Sequence, residues 1–304
     1  MPELPDIQLY LHALGPRVIG HRLERVRLAA PFLLRSVEPR LSAVEGRTVV
    51  GVERLGKRVV LALDGDLFLV VHLMIAGRLR WKTAGAPVPG KVGLLALDFA
   101  QGTLLLTEAG STRRASLYLV RGREALAAHD PGGLEVLDSN FETFAAALRR
   151  ENHTLKRALT DPHILSGIGN AYSDEILHAA RLSPFKQTQT IDEAQLRQLY
   201  EATRRVLTDW TARLVAETGA TFPEKVTAFR EGMAVHGRYG QPCPVCHTLV
   251  QRVVYAANEA NYCATCQTEG RLLSDRALSR LLKQDWPKTL EDMERRKERQ
   301  RIAD

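Results

Sequence analysis

The sequence predicts a multidomain α+β chain: an N-terminal helix with an antiparallel β-sandwich, then a helical region, then a hairpin carrying four cysteines. Three observations lead there. Leu4, Ile7, Leu11 and Leu14 recur at helical spacing. From about His21 to Leu119 the texture changes to short apolar runs broken by turn residues, with little helix between them. Cys243, Cys246, Cys263 and Cys266, all the cysteines of the chain, form two C-x2-C pairs. At 304 residues and 45% hydrophobic, the chain is long enough for two or three domains with cores of their own.

The first helix spans residues 2–14, and Gly15-Pro16 is expected to end it. Strands follow at Val49–Val52, Arg58–Leu63, Leu67–Leu73, Leu94–Phe99 and Leu104–Thr107. Asp64-Gly65-Asp66 and Gln101-Gly102 provide hairpin turns between neighbouring runs. Pro131-Gly132-Gly133 marks the exit to a helical stretch from Phe141 to Glu217. Its expected core is Leu148, Leu155, Leu159, Ile164, Ile176, Leu177, Leu196, Leu199, Val206 and Leu207. The boundaries read as 1–130, 131–236, 237–272 for the cysteine module, and 273–304 for a charged tail. In the tail, Leu273, Leu278, Leu281 and Leu282 could pack as a helix, and Trp286-Pro287 ends it.

Charge and compartment narrow the function classes. A net charge of +7 and a pI near 9.4 point to a partner of negative charge, nucleic acid being the commonest. The N-terminus lacks a basic segment followed by an apolar run, and no stretch approaches roughly 18 apolar residues, so neither signal peptide nor membrane span is expected. The expected location is the cytoplasm, at the bacterial nucleoid. In a reducing compartment C-x2-C-x16-C-x2-C reads as metal ligation: two thiolate pairs on a hairpin suit one structural Zn2+ in a closed tetrahedral site. Such a site leaves no open position for catalysis.

Two other stretches carry chemistry. Pro2-Glu3 follows the initiator methionine, and removal of Met1 leaves a secondary amine beside a carboxylate. An α-amino group titrates at roughly 7.7–8.0, so a useful fraction is neutral and nucleophilic near neutrality. The same residues also suit an ordinary helix start. Leu165-Ser166-Gly167-Ile168-Gly169-Asn170 places two glycines before a helical pattern, which fits either a phosphate-holding helix N-terminus or a plain turn between packed helices.

Together these motifs resemble the formamidopyrimidine-DNA glycosylase/endonuclease VIII family. The likeness runs over about residues 2–270: Pro2-Glu3-Leu4-Pro5-Asp6, Lys57 in a strand, His72-Leu73, the G-I-G-N-x-Y-x-D-E run at 167–175, and the terminal four-cysteine hairpin. The resemblance implies a helix-two-turns-helix domain in the middle of the chain and damaged double-stranded DNA as partner. It implies a bifunctional N-glycosylase and apurinic/apyrimidinic lyase acting without a redox cofactor, with oxidised purines as nominal substrates, and a monomer is expected. By resemblance Pro2 is the nucleophile at C1′ of a flipped nucleotide. Glu3 is the acid in sugar-ring opening, and Lys57 lies close to the active-site phosphate. His72, Lys156 and Asn170 fall where the family holds phosphates beside the lesion.

Departures from the family pattern bear on substrate choice. The usual arginine five positions before the third cysteine is Asn258 here, and Arg252 on the same hairpin is a candidate substitute. The stretch from Thr218 to Arg238 is short for the loop that caps an oxidised purine. The residues that fill the vacated stack read His72-Leu73-Met74-Ile75-Ala76-Gly77 and Ser111-Thr112-Arg113-Arg114-Ala115. Ile75 or Met74 is the candidate wedge, Arg113 could face the orphan base, and Ala115 cannot replace an aromatic. Two alternatives therefore stand: a pyrimidine-lesion enzyme of endonuclease VIII type, and a damage-binding protein without turnover.

Overall fold

The computed structural model describes residues 1–110, 112–255, 258–274 and 287–303, without the side chains at 255, 258, 297 and 299–303. Its contacts define two compact units, 1–133 with 207–228, and 134–206 with 229–304.

The first unit opens with α1 (Leu4–Val18), which runs through Gly15-Pro16 instead of ending there. Glycine before a proline has no Cβ to clash with the ring, so the helical conformation survives one more turn. Fully buried Val18 anchors that turn in the core. Two antiparallel four-stranded sheets follow. One has the order β1 (Arg25–Leu28), β6 (Gly93–Phe99), β7 (Gly102–Glu108), β5 (Gly77–Lys82). The other runs β2 (Val49–Leu55), β3 (Arg58–Leu63), β4 (Leu67–His72), β8 (Ser116–Arg121). The sequence did not predict β1, β5 and β8, and all three are edge strands. Edges carry charge on one face, as in Arg78-Leu79-Arg80, which hides them from a search for apolar runs.

Side chains alternate across each strand, so one face of each sheet enters a shared core. Val59, Leu61, Leu69 and Val71 of one sheet belong to the same buried cluster as Leu79, Leu97, Leu104 and Leu106 of the other, with Leu214 and Val226 from the 207–228 segment. On the second sheet's outer face, Leu126 of α2 (Arg123–Ala127) covers Val60, Ala62, Phe68 and Val70.

The second unit holds α3 (Phe141–Arg149), α4 (Leu155–Thr160), α5 (Asn170–Ala179) and the first part of α6 (Glu193–Thr218). Asn140 and Thr154 cap α3 and α4 by accepting the amides of Thr143 and Arg157. The expected helical core residues are buried except Val206, which is half-buried. The hairpin β9 (Gln251–Tyr255) and β10 (Asn258–Tyr262) leads into α7 (Ala264–Thr268), and α8 (Leu290–Ala303) follows. Leu272, Leu273 and Leu290 pack beside Val253, Tyr262 and Ala264, so the start of the tail belongs to the cysteine module. Leu278, Leu281, Leu282 and Trp286 lie outside the described residues. Among the described residues, no helix is long and apolar enough to cross a membrane.

Candidate active site

In the first unit the reactive end of the chain is fixed by the start of α1. Glu3 is the N-cap: its carboxylate accepts the Asp6 amide, and its own N–H donates to Asp6 Oδ2 at 2.9 Å. Both carboxylates are buried, and the Ile7 amide closes the first helical bond onto the Glu3 carbonyl at 2.9 Å. This reciprocal cap, an S/T-x-x-E box with acids at both positions, sets the backbone of Pro2-Glu3. The Met1 amine beside it is held below the ordinary α-amino range by burial; Arg78 and Lys57 add to that lowering, while Glu3 and Asp6 oppose it. An amine of lowered basicity next to a carboxylate is an arrangement that suits nucleophilic chemistry.

Lys57, expected in a strand, stands instead in the turn between β2 and β3. Gly56 takes a positive φ of 59° there, and Leu55 pairs with Arg58. Burial lowers the Lys57 ammonium, with Glu3 as the opposing charge. His72 ends β4, opposite Arg58 on one side and Ser116 on the other. Burial, then Arg58 and Lys57, push its imidazole down to about 4, so it is neutral near neutrality. The Met1 amine, Glu3, Lys57 and His72 thus share one electrostatic neighbourhood.

Arg113 does not join them. It is exposed, and its guanidinium donates to the Lys91 carbonyl. The buried Glu108 carboxylate accepts the amides of Arg114 at 3.0 Å and Ala115 at 3.1 Å, which hangs the arginine loop from the end of β7. Ala115 itself is in the sandwich core, so it has no stacking role. Ser111 lies outside the described residues.

In the second unit α5 presents a row of polar groups. Asn170 opens the helix and is half-buried. Lys156, expected on a phosphate, is placed inside the protein. The side chain is 2% exposed, with Nζ 2.5 Å from Asp174 Oδ1 and 2.7 Å from the Asn170 carbonyl. A long cation that finds both a carboxylate and a carbonyl inside the protein gains nothing by leaving for solvent. Lys156 thereby braces the first turn of α5. Asp174 Oδ2 also accepts from His236 Nδ1 at 2.8 Å and Asn261 Nδ2 at 3.1 Å. Glu175 takes the consecutive amides of Ala234, Val235 and His236, although burial still raises its carboxyl.

The four cysteine sulfurs lie within 4.8 Å of one another. Tetrahedral thiolate zinc, with bonds near 2.3 Å, needs sulfurs about 3.8 Å apart, and here the pairs are 3.9 Å (Cys243, Cys266) and 3.3 Å (Cys246, Cys263). Val245 N–H and Cys266 N–H point at Cys243 Sγ and Cys263 Sγ, and His178 Nε2 is 3.3 Å from Cys243 Sγ. Such donors relieve thiolate charge, so the donor set fits the ion. Asn258 begins β10 in register with Tyr255, and its side chain lies outside the described residues. Arg252 pairs instead with Asn261 across the hairpin. It stacks on Tyr239 at 4.7 Å and faces Glu259 at 3.7 Å, which makes it a compensated charge.

Asp6, Asp174, Glu175 and His236 were missed as site-building residues. Asp6 was findable from its spacing to Glu3, and Asp174-Glu175 stood inside the glycine motif; nothing local marks His236.

Comparison with known proteins agrees with this layout. Residues 1–114 match the formamidopyrimidine-DNA glycosylase N-terminal domain, residues 132–218 its H2TH domain, and residues 240–268 the zinc finger found in FPG and IleRS. The formamidopyrimidine-DNA glycosylase of Thermus thermophilus is 33% identical over 287 residues, covering 89% of this chain and all of the relative. That of Heliobacterium modesticaldum is 32% identical over 280 residues, covering 88% and 100%. A Lactococcus lactis FPG mutant solved with Fapy-dG containing DNA superposes with a TM-score of 0.76 over 88% of this chain and 100% of that one, at 24% identity. With its three matching domains in order and full-length relatives at a third identity, the chain belongs to the formamidopyrimidine-DNA glycosylase family.

Proposed function

We propose that this protein is a bifunctional DNA N-glycosylase and apurinic/apyrimidinic lyase of base-excision repair, with damaged duplex DNA as substrate and oxidised purines as its nominal lesions. The observation that carries the reading is the reciprocal Glu3–Asp6 cap, which holds the N-terminal residues beside an amine of lowered basicity. The neutral Pro2 amine attacks C1′ as the bond to the damaged base breaks; the base leaves with that electron pair and takes a proton from solvent, and the proton shed by the amine passes to Glu3. Glu3 gives its proton to the ring oxygen as the C1′–N bond becomes an iminium. Loss of a C2′ proton then expels the 3′ phosphate and cuts the strand. Lys57 supplies positive charge to the phosphate backbone.

One Zn2+ on Cys243, Cys246, Cys263 and Cys266 keeps the hairpin folded, and the ion has a structural role only. The protein works as a monomer on DNA in the cytoplasm. Borohydride trapping on abasic-site duplex tests the proposal: a covalent adduct through the N-terminal residue is expected, and its absence with active cleavage rules out the amine mechanism.

A pyrimidine-lesion preference is the second reading. Ala115 is buried in the core at the place where an aromatic stack would serve purine specificity, and Lactococcus lactis FPG has been solved with an oxidised pyrimidine containing DNA. Cleavage rates on a panel of oxidised purines and pyrimidines separate the two.

A further inference from the structure

The outer face of the second sheet is apolar except at one end. Val60, Ala62, Phe68 and Val70 lie under Leu126, whereas the last row across β3, β4 and β8 reads Arg58, His72, Ser116, neighbours directly opposite one another in register. Side chains paired in this way share one face. All three are half-buried, and each offers a hydrogen for donation. The Met74 amide donates to His72 Nδ1 at 3.0 Å, so that nitrogen carries no proton and the neutral ring keeps its hydrogen on Nε2. Ser116 supplies a hydroxyl, and Arg58 supplies the charge.

Among the described residues nothing neutralises that charge at contact. Arg58 Nε is buried with no hydrogen-bond partner, and no ion pair reaches the guanidinium. Burial lowers its hold on the proton, and Tyr118 and Asp130 oppose this only through space. The Asp130 carboxylate already accepts the Gly132 amide at 2.9 Å. Tyr118 packs its ring 4.5 Å from that of His129, whose imidazole is itself lowered by burial and then by Arg58. A guanidinium stays protonated inside proteins, so burying one without a partner is a standing cost to the fold. That cost suits a group whose anion arrives with a ligand. Lys57, next in the chain, looks elsewhere: it is among the charges felt by the N-terminal amine, and Glu3 is the charge that opposes its own lowering. Only His72 feels both cations. We infer that Arg58 grips a second backbone phosphate of the DNA duplex, beside the one proposed for Lys57, with His72 Nε2–H and the Ser116 hydroxyl completing the row of donors. The guanidinium fork matches the paired oxygens of a phosphate, and such a contact fixes the duplex in register without reading its bases.

This rests on the proposed action on damaged duplex DNA, and the test separates the two. Full-length protein is titrated at several salt concentrations with a duplex carrying a tetrahydrofuran abasic analogue, and with a set of such duplexes in which single phosphates are replaced by uncharged methylphosphonates. Arg58→Met should flatten the slope of log affinity against log salt by about 0.9, the counterion release of one phosphate. It should also become indifferent to one methylphosphonate that weakens the wild type, and Lys57→Met should become indifferent to a different one. Arg58→Lys should keep most of the slope, because the charge is retained. Melting temperature gives the readout that a structural role would move the other way: removal of an unpaired buried charge should leave Arg58→Met at least as stable as the wild type. An unchanged slope, indifference at the same phosphate as Lys57→Met, or an Arg58→Met protein that melts well below the wild type overturns the inference. If the wild type neither binds the analogue duplex nor forms the borohydride adduct on an abasic site, the enzymatic reading fails first and takes the phosphate contact with it.

Discussion

Helix α1 gathers Glu3 and Asp6 at its first turn, and helix α5 carries Asp174 and Glu175 in its second. The comparison shows how buried acids serve opposite ends. On α5 every acid is closed off: Asp174 by Lys156, His236 and Asn261, and Glu175 by three amides. On α1 the acids satisfy each other's backbone, and the nearby cations, the terminal amine and Lys57, are both pulled down by burial. A buried cation with a full complement of partners stabilises architecture. One left short of compensation becomes a weaker base.

The sharpest way to break this comparison is to block the amine. Protein that retains Met1, or carries an N-terminal tag, should bind abasic duplex normally and cleave it only at background rate, as read on a denaturing gel. Normal cleavage would leave α1 with no chemical role. Glu3→Gln keeps the shape of the cap but removes the proton; glycosylase turnover on a damaged base should fall by about 100- to 10,000-fold with little change in duplex affinity. Kinetics beside equilibrium binding check this.

On the other side, Asp174→Ala should act on stability and not on chemistry. It strands the Lys156 ammonium in the interior, a change that costs about 3–5 kcal/mol. Denaturant unfolding should show that loss, while single-turnover cleavage by the folded fraction stays close to wild type. An Asp174→Ala protein as stable as its parent would mean that the α5 network is not closed as described.

Acid titration probes the first unit again. An unfolded imidazole takes up its proton near 6.5, while folded His72 refuses it down to about 4, so the contribution of this group to stability is complete above 6.5 and is lost as pH falls through that window. Melting temperatures across the window should fall less steeply in His72→Asn. The smallest effect is expected at the hairpin tip. Glu259 and Tyr239 already engage Arg252, so Arg252→Ala should leave the salt dependence of DNA binding unchanged. Asn258→Arg should tighten binding and steepen the slope by about 0.9, one phosphate's worth of counterion release. Titrations at several salt concentrations read both.

The sequence by itself determined the fold class and the zinc-type ligand set. Each is written in local spacing: period-two and period-3.6 apolar patterns, and paired C-x2-C turns. Edge strands β1, β5 and β8 were not legible, because their charged outer faces break the apolar pattern, and α1 outran its Gly-Pro stop because Val18 is anchored in the core. Only the tertiary structure decided that Lys156 is spent on Asp174, that His236 and Asn261 converge on the same carboxylate from distant parts of the chain, and that His72 supports Met74. Local spacing can specify which groups a residue meets within a turn or two. Whether a charge is left over or cancelled depends on partners that arrive from elsewhere in the chain, and burial then multiplies the difference.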